Sequence, residues 1–79
     1  MLKICLSSLS QKFLKKSDKI LNERILKKIK GLSEEPFPSD SKRIVGRTDK
    51  VFRVRVGDCR ILYVVYIEKN EILISDIDK

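Results

Sequence analysis

The chain has 79 residues, of which 42% are hydrophobic and 37% charged, enough apolar content for one small core and too much for an intrinsically disordered segment. A formal charge of +7 favours polyanionic partners, and the complete absence of histidine removes His-based triads and His-ligated metal sites. No apolar run reaches the roughly 18 residues of a membrane span, and the opening residues break into serines too early for a signal peptide, so a cytoplasmic setting without a membrane is expected. In chain order, Lys3-Ile4-Cys5-Leu6 is a short strand candidate. Ser8 stands three residues before Gln11, a capping-box spacing that opens a first short helix with Leu9 and Phe13 on its buried side. That helix falters at Ser17-Asp18. Leu21, Ile25, Ile29 and Leu32 then mark the apolar face of a second helix, with Lys19, Arg24, Lys27, Lys28 and Lys30 mostly outside. Gly31 is the expected stop, Pro36 and Pro38 bar continuation, and the two helices are expected to form an antiparallel pair.

Residues 34–42 read as a polar connection that tucks Phe37 against the core. Ser39–Arg47 enters a short strand and turns at Gly46. The most informative stretch follows, Val51–Tyr66. Strand side chains alternate with period two, so Phe52, Val54 and Val56 point one way and Arg53 and Arg55 the other. Gly57-Asp58 suits a two-residue type II′ turn. That register sets Val56 opposite Cys59, Arg55 opposite Arg60, and Arg53 opposite Leu62. Arg53, Arg55 and Arg60 then share one face, with Tyr66 farther along it, and Ile61, Tyr63 and Val65 line the core. Like charges facing each other across a ladder are destabilising, which points to an anion held there.

A second turn at Lys69-Asn70 leads into a last strand, with Glu68 expected opposite Glu71, Ile67 opposite Ile72 and Val65 opposite Ile74. Carried on without a bulge, this register brings Lys79 opposite Arg60. It also puts Asp76 on the core face beside Tyr63, so a bulge is expected there. Cys5 and Cys59 lack CxxC spacing and read as small buried hydrophobes. The whole is one domain over residues 1–79, of α+β class: an N-terminal strand and a helical hairpin packed on a mostly antiparallel sheet.

The element order resembles the RelE/ParE superfamily of prokaryotic toxins from toxin–antitoxin pairs. The likeness rests on the short first strand, the Lys-rich helical hairpin ending near Leu32-Ser33-Glu34-Glu35-Pro36, and the basic lead-in Ser41-Lys42-Arg43-Ile44-Val45-Gly46. Most specific is Val51-Phe52-Arg53-Val54-Arg55-Val56-Gly57-Asp58-Cys59-Arg60-Ile61-Leu62-Tyr63, similar to the family's hydrophobic–basic–x–basic–x–Gly-Asp-Tyr-Arg core. The resemblance implies a ribosome-dependent mRNA endoribonuclease that inhibits translation, with no metal or other cofactor. In that chemistry the RNA's own 2′-hydroxyl attacks the scissile phosphate.

By the same resemblance Arg53, Arg55 and Arg60 hold the phosphate, and Lys42, Arg43, Arg47, Tyr66, Lys27 and Lys28 are the remaining candidates for RNA contact. The implied partners are the ribosome, mRNA and an acidic RelB-like antitoxin. Two departures stand out: Cys59 replaces the usual tyrosine, and the sequence halts at Ile77-Asp78-Lys79, where the family continues into a basic segment carrying an arginine and a catalytic Tyr or His. The expectation is a chain shortened at this end, by nature or by truncation, that binds normally and cleaves poorly, with Lys79 as the remaining catalytic candidate from that region. A ParE-like inhibitor of DNA gyrase, or an impaired toxin that only binds its antitoxin, are the alternatives.

Overall fold

The computed structural model describes residues 1–44 and 50–79; the expected turn at Gly46 and the candidate Arg47 lie outside them. The elements run β1 (Lys3–Leu6), α1 (Ser8–Lys16), α2 (Lys19–Glu34), β2 (Lys42–Arg43), β3 (Val51–Val56), β4 (Cys59–Tyr66), a 3-10 turn at Ile67–Lys69, and β5 (Glu71–Asp78). The five strands form one sheet in the order β1-β5-β4-β3-β2. β1 lies parallel to β5, and every other pairing is antiparallel. This is the α+β arrangement expected, two helices on a mixed sheet.

Helix boundaries differ from the expected ones for local reasons. The cap of α1 is Ser7, whose hydroxyl accepts the Ser10 N–H at 3.1 Å, while Gln11 reaches back to the Leu6 carbonyl. Leu9 is exposed rather than buried, and Ser10 is the residue that faces the sheet, its hydroxyl donating to the Ile74 carbonyl at 2.9 Å. A small side chain there lets the helix approach β5 closely. Asp18 caps α2 by accepting the Leu21 N–H at 2.8 Å. Asn22 ties the helices together, donating to the Leu14 carbonyl and the Ser17 hydroxyl. α2 runs through Gly31 to Glu34, because Gly31 keeps helical geometry and the Glu35 N–H still bonds its carbonyl.

Ile25, Ile29 and Leu32 of α2 close over Val54, Val56, Cys59, Ile61, Tyr63, Ile72, Ile74 and Ile77. Burying a side chain of this size contributes about 1.5–3 kcal/mol, so this layer carries most of the fold's stability. Tyr63 is fully buried, and its hydroxyl donates to the Pro36 carbonyl at 2.7 Å, pinning the linker. Burial pushes its phenol up from the ordinary value, and Asp40 adds to this, while a hydrogen bond with Ser41 acts in the opposite sense. Phe37 is 48% exposed, not tucked away, yet its ring lies 4.9 Å from that of Phe52, which in turn stacks on Tyr63 at 6.0 Å.

The β3–β4 hairpin has the expected register throughout, with Gly57 at a φ of 59° and no positive φ at Asp58, as a II′ turn requires. β4 and β5 pair differently from expectation. The 3-10 turn and left-handed Asn70 absorb two more residues than a tight turn at Lys69-Asn70 would, so Tyr66, not Glu68, faces Glu71, and Val65 faces Ile72. The register shifts between Leu62 and Tyr63, the bulge expected near Asp76. Asp76 is thereby moved opposite Leu62, off the core face, and the longer turn and the bulge together set Asp78 opposite Arg60, where the expected unbulged register from a tight turn has Lys79.

Candidate functional site: the arginine face

The sheet face away from the helices is a set of cross-strand rows. At the hairpin end Arg55, Arg60 and Asp78 line up across β3, β4 and β5. The next row runs Lys42, Arg53, Leu62, Asp76 from β2 to β5. Beyond it lies an apolar row of Val51, Val64, Leu73 and Cys5, and then Tyr66, Glu71 and Lys3. Alternation along three antiparallel strands therefore gathers four cations within two adjacent rows.

Among the described residues, Arg60 is the member of this group that makes a salt bridge. Its Nε donates to Asp78 Oδ1 at 3.0 Å and its Nη2 to Asp78 Oδ2 at 3.4 Å. Arg53, Arg55 and Lys42 make none among those residues. A cleft of about 190 Å³ lined by Lys42, Arg53, Arg55, Val54 and Asp40 opens at this end. Arg55 also lines a second groove of about 570 Å³ between the hairpin and α2, together with Arg24, Lys27 and Lys28. The Arg24 guanidinium lies against Gly57, 3.4 Å from where a Cβ would sit, so the turn glycine serves both the backbone and this contact. Lys28 is bound to Asp40 at 2.6 Å, which holds the Asp40 carboxyl below its ordinary range.

The other candidates are distributed unevenly. Lys42 joins the arginines as a cross-strand neighbour of Arg53, whereas Arg43 pairs with Phe52 and so falls on the opposite face of the edge strand. Tyr66 lies on the arginine face, but six residues beyond Arg60 places it about 20 Å away at strand rise. Lys69 sits over its ring at 5.5 Å. Lys79 lines grooves with Asp18 and Leu21 on the helix side, apart from the arginine rows. Sequence reading does not place Asp78 beside Arg60, because its position depends on both the turn length and the bulge. Cys59 is buried as expected, but Cys5 is only half-buried, and its thiol donates to the Glu71 carboxylate at 3.2 Å. That bond raises the thiol pKa, so Cys5 is a weakened nucleophile. Among the described residues no cluster of three or more acidic, Cys or His side chains could hold a metal, and no helix is long and apolar enough to cross a membrane.

Several solved structures share this architecture. The RelE–RelB complex of the archaeon Pyrococcus horikoshii matches at a TM-score of 0.84 and 26% identity, over 98% of this chain and 92% of that one. The intact RelBE toxin–antitoxin complex of E. coli matches at 0.86 and 18% identity, over 100% and 96%. A RelBE-type toxin–antitoxin complex from Mycobacterium tuberculosis matches at 0.85 and 20% identity, over 98% and 95%. No curated protein sequence matches the chain. The family model for the ParE toxin of type II toxin–antitoxin systems matches residues 5–79, all but the first four residues. The chain therefore belongs to the RelE/ParE superfamily of toxins from type II toxin–antitoxin systems.

Proposed function

We propose that this toxin is a ribosome-dependent mRNA endoribonuclease whose arginine face holds the scissile phosphate. The observation that carries this reading is the clustering of Arg53, Arg55, Arg60 and Lys42 in two adjacent rows of the sheet face away from the helices, where like charges oppose each other. An oxyanion relieves that repulsion, and guanidinium forks match its geometry. In the reaction the 2′-oxygen of the RNA bonds to the adjacent phosphorus and the bond to the 5′-oxygen breaks. The products are a 2′,3′-cyclic phosphate and a 5′-hydroxyl. The arginines neutralise charge that grows on the pentacovalent transition state, where preorganised donors matter most.

Guanidinium side chains stay protonated in proteins, so the 2′-hydroxyl proton passes to a group outside the arginine trio. Lys79, on the helix side, is remote from that transfer unless the chain rearranges on the ribosome. Lys27 and Lys28, in the groove that Arg55 shares, extend the basic surface toward ribosomal RNA, where such contacts add salt-dependent affinity. The setting is cytoplasmic, and the partner is an acidic antitoxin; the complexes of the similar toxins with RelB support that assignment.

A second reading, inhibition of DNA gyrase, is favoured by the family model itself, which describes ParE toxins. A cell-free translation reaction with primer-extension mapping separates the two. Cuts that require ribosomes support the nuclease. Loss of gyrase supercoiling activity without cuts moves the assignment to the second reading. Neither effect, with antitoxin binding intact, leaves a toxin fold retained only for its partner.

A further inference from the structure

The bulge in β5 has a chemical result. Carried on without it from the Tyr63–Ile74 pair, the ladder would set Ile77 opposite Arg60; with it Asp78 lies there, in a two-point contact through Nε and Nη2. A carboxylate and a phosphodiester present similar paired oxygens to an arginine fork, so they compete for the same guanidinium edge. Arg60 is also the arginine that faces Arg55 directly. Asp78 thus lies at one end of a three-strand row whose other two members repel each other. Both partners of the ion pair are partly exposed, at 42% and 39%.

We infer that Asp78 is a built-in competitor for Arg60, a carboxylate that sets the affinity of the arginine face for RNA phosphate. The inference rests on the reading of that face as a phosphate site. An exposed ion pair contributes at most about 1 kcal/mol, equivalent to about fivefold in binding, so the contact modulates affinity and does not lock the site. Weak or single phosphates are then discriminated against. An RNA strand that also engages Arg53, Arg55 and Lys42 displaces the carboxylate.

The test measures binding of a short single-stranded RNA oligonucleotide at low and moderate salt. Asp78→Asn removes the charge with little change of shape and is expected to tighten binding about threefold to fivefold at low salt, with a steeper salt dependence. Asp78→Glu restores the charge and should return affinity toward the wild-type value. The gain must vanish in an Arg60→Ala background, as coupled neighbours require. Glu68→Gln, which adds the same net charge beyond the far end of β4, controls for charge alone and, compared at about 0.1 M salt where the Debye length is about 10 Å, should leave affinity within twofold. An equal gain from Glu68→Gln, or persistence of the gain without Arg60, overturns the competitor. If Arg60→Ala leaves wild-type binding unchanged, it is the phosphate-site reading that fails. Circular dichroism melts establish that each variant is folded before its affinity is compared.

Discussion

On the helix side of β4, Ile61 and Tyr63 are sealed beneath α2, and the one polar atom there, the Tyr63 hydroxyl, has its partner. On the other side of the same strand, Arg60 and Leu62 remain half-buried beside Arg53 and Arg55, which make no salt bridge among the described residues. The two faces share a backbone and differ by a single step of the pleat. One is optimised for burial; the other sets like charges opposite each other across the ladder, a destabilising arrangement. Conflict of this kind within an otherwise consistent structure is expected at functional sites.

The sharpest way to break this contrast is to exchange the effects. Ile61→Ala should destabilise by about 2–5 kcal/mol, measured by urea unfolding, because it opens a cavity at the centre of the core. Arg55→Ala should shift stability by less than about 0.5 kcal/mol, as exposed substitutions usually do. If the two variants lose similar stability, the division between the faces is wrong. For activity the order reverses. Arg60→Ala should reduce ribosome-dependent cleavage about 100-fold, the scale for losing one donor to a developing oxyanion, whereas Lys28→Ala should reduce it by less than about tenfold. Equal rates in folded protein would remove Arg60 from the site.

Tyr63→Phe should cost about 1 kcal/mol at neutral pH through the lost bond to Pro36. Its pH dependence sharpens the test. The folded phenol is shifted up, chiefly by burial, so its stabilising contribution is complete below the ordinary value of about 10 and is lost as pH rises through the folded value. The wild type should therefore lose more stability than the Phe variant between neutral pH and strongly alkaline pH in parallel urea titrations. Gly31→Ala should bring a small gain, about 0.5–1 kcal/mol, since Gly31 lies inside a helix with nothing within 4 Å of an added Cβ. A loss of stability there would mean that the groove beside α2 is more tightly filled than its geometry indicates.

What could be read from residues alone was whatever depends on near neighbours. The β3–β4 hairpin was legible because alternation from Val51 to Val56 and the Gly57-Asp58 turn each specify the same register. The pairing of β4 with β5 was not, because the run Val64-Val65-Tyr66-Ile67 is apolar on both faces and does not say where a strand gives way to a 3-10 turn. Three arginines could be placed on one face, yet Asp78 could not be placed against Arg60 without the length of the turn and the extent of the bulge. Ser10 illustrates the same limit in the core. A buried serine on a helix looks like a surface residue until the close approach to β5 supplies the Ile74 carbonyl.

The parallel pairing of β1 with β5 has a consequence in time. The ladder Lys3 to Leu6 against Glu71 to Ile74 closes only when the first and last strands meet, nearly a full chain length apart. Helices and the central hairpin can form from local contacts as the chain emerges, but β5 lies between β1 and β4 and completes both ladders. Asp78 reaches Arg60 by that same docking. During synthesis, the arginine hairpin is therefore exposed before its carboxylate is delivered, and assembly of the sheet is also the step that first tempers its charge.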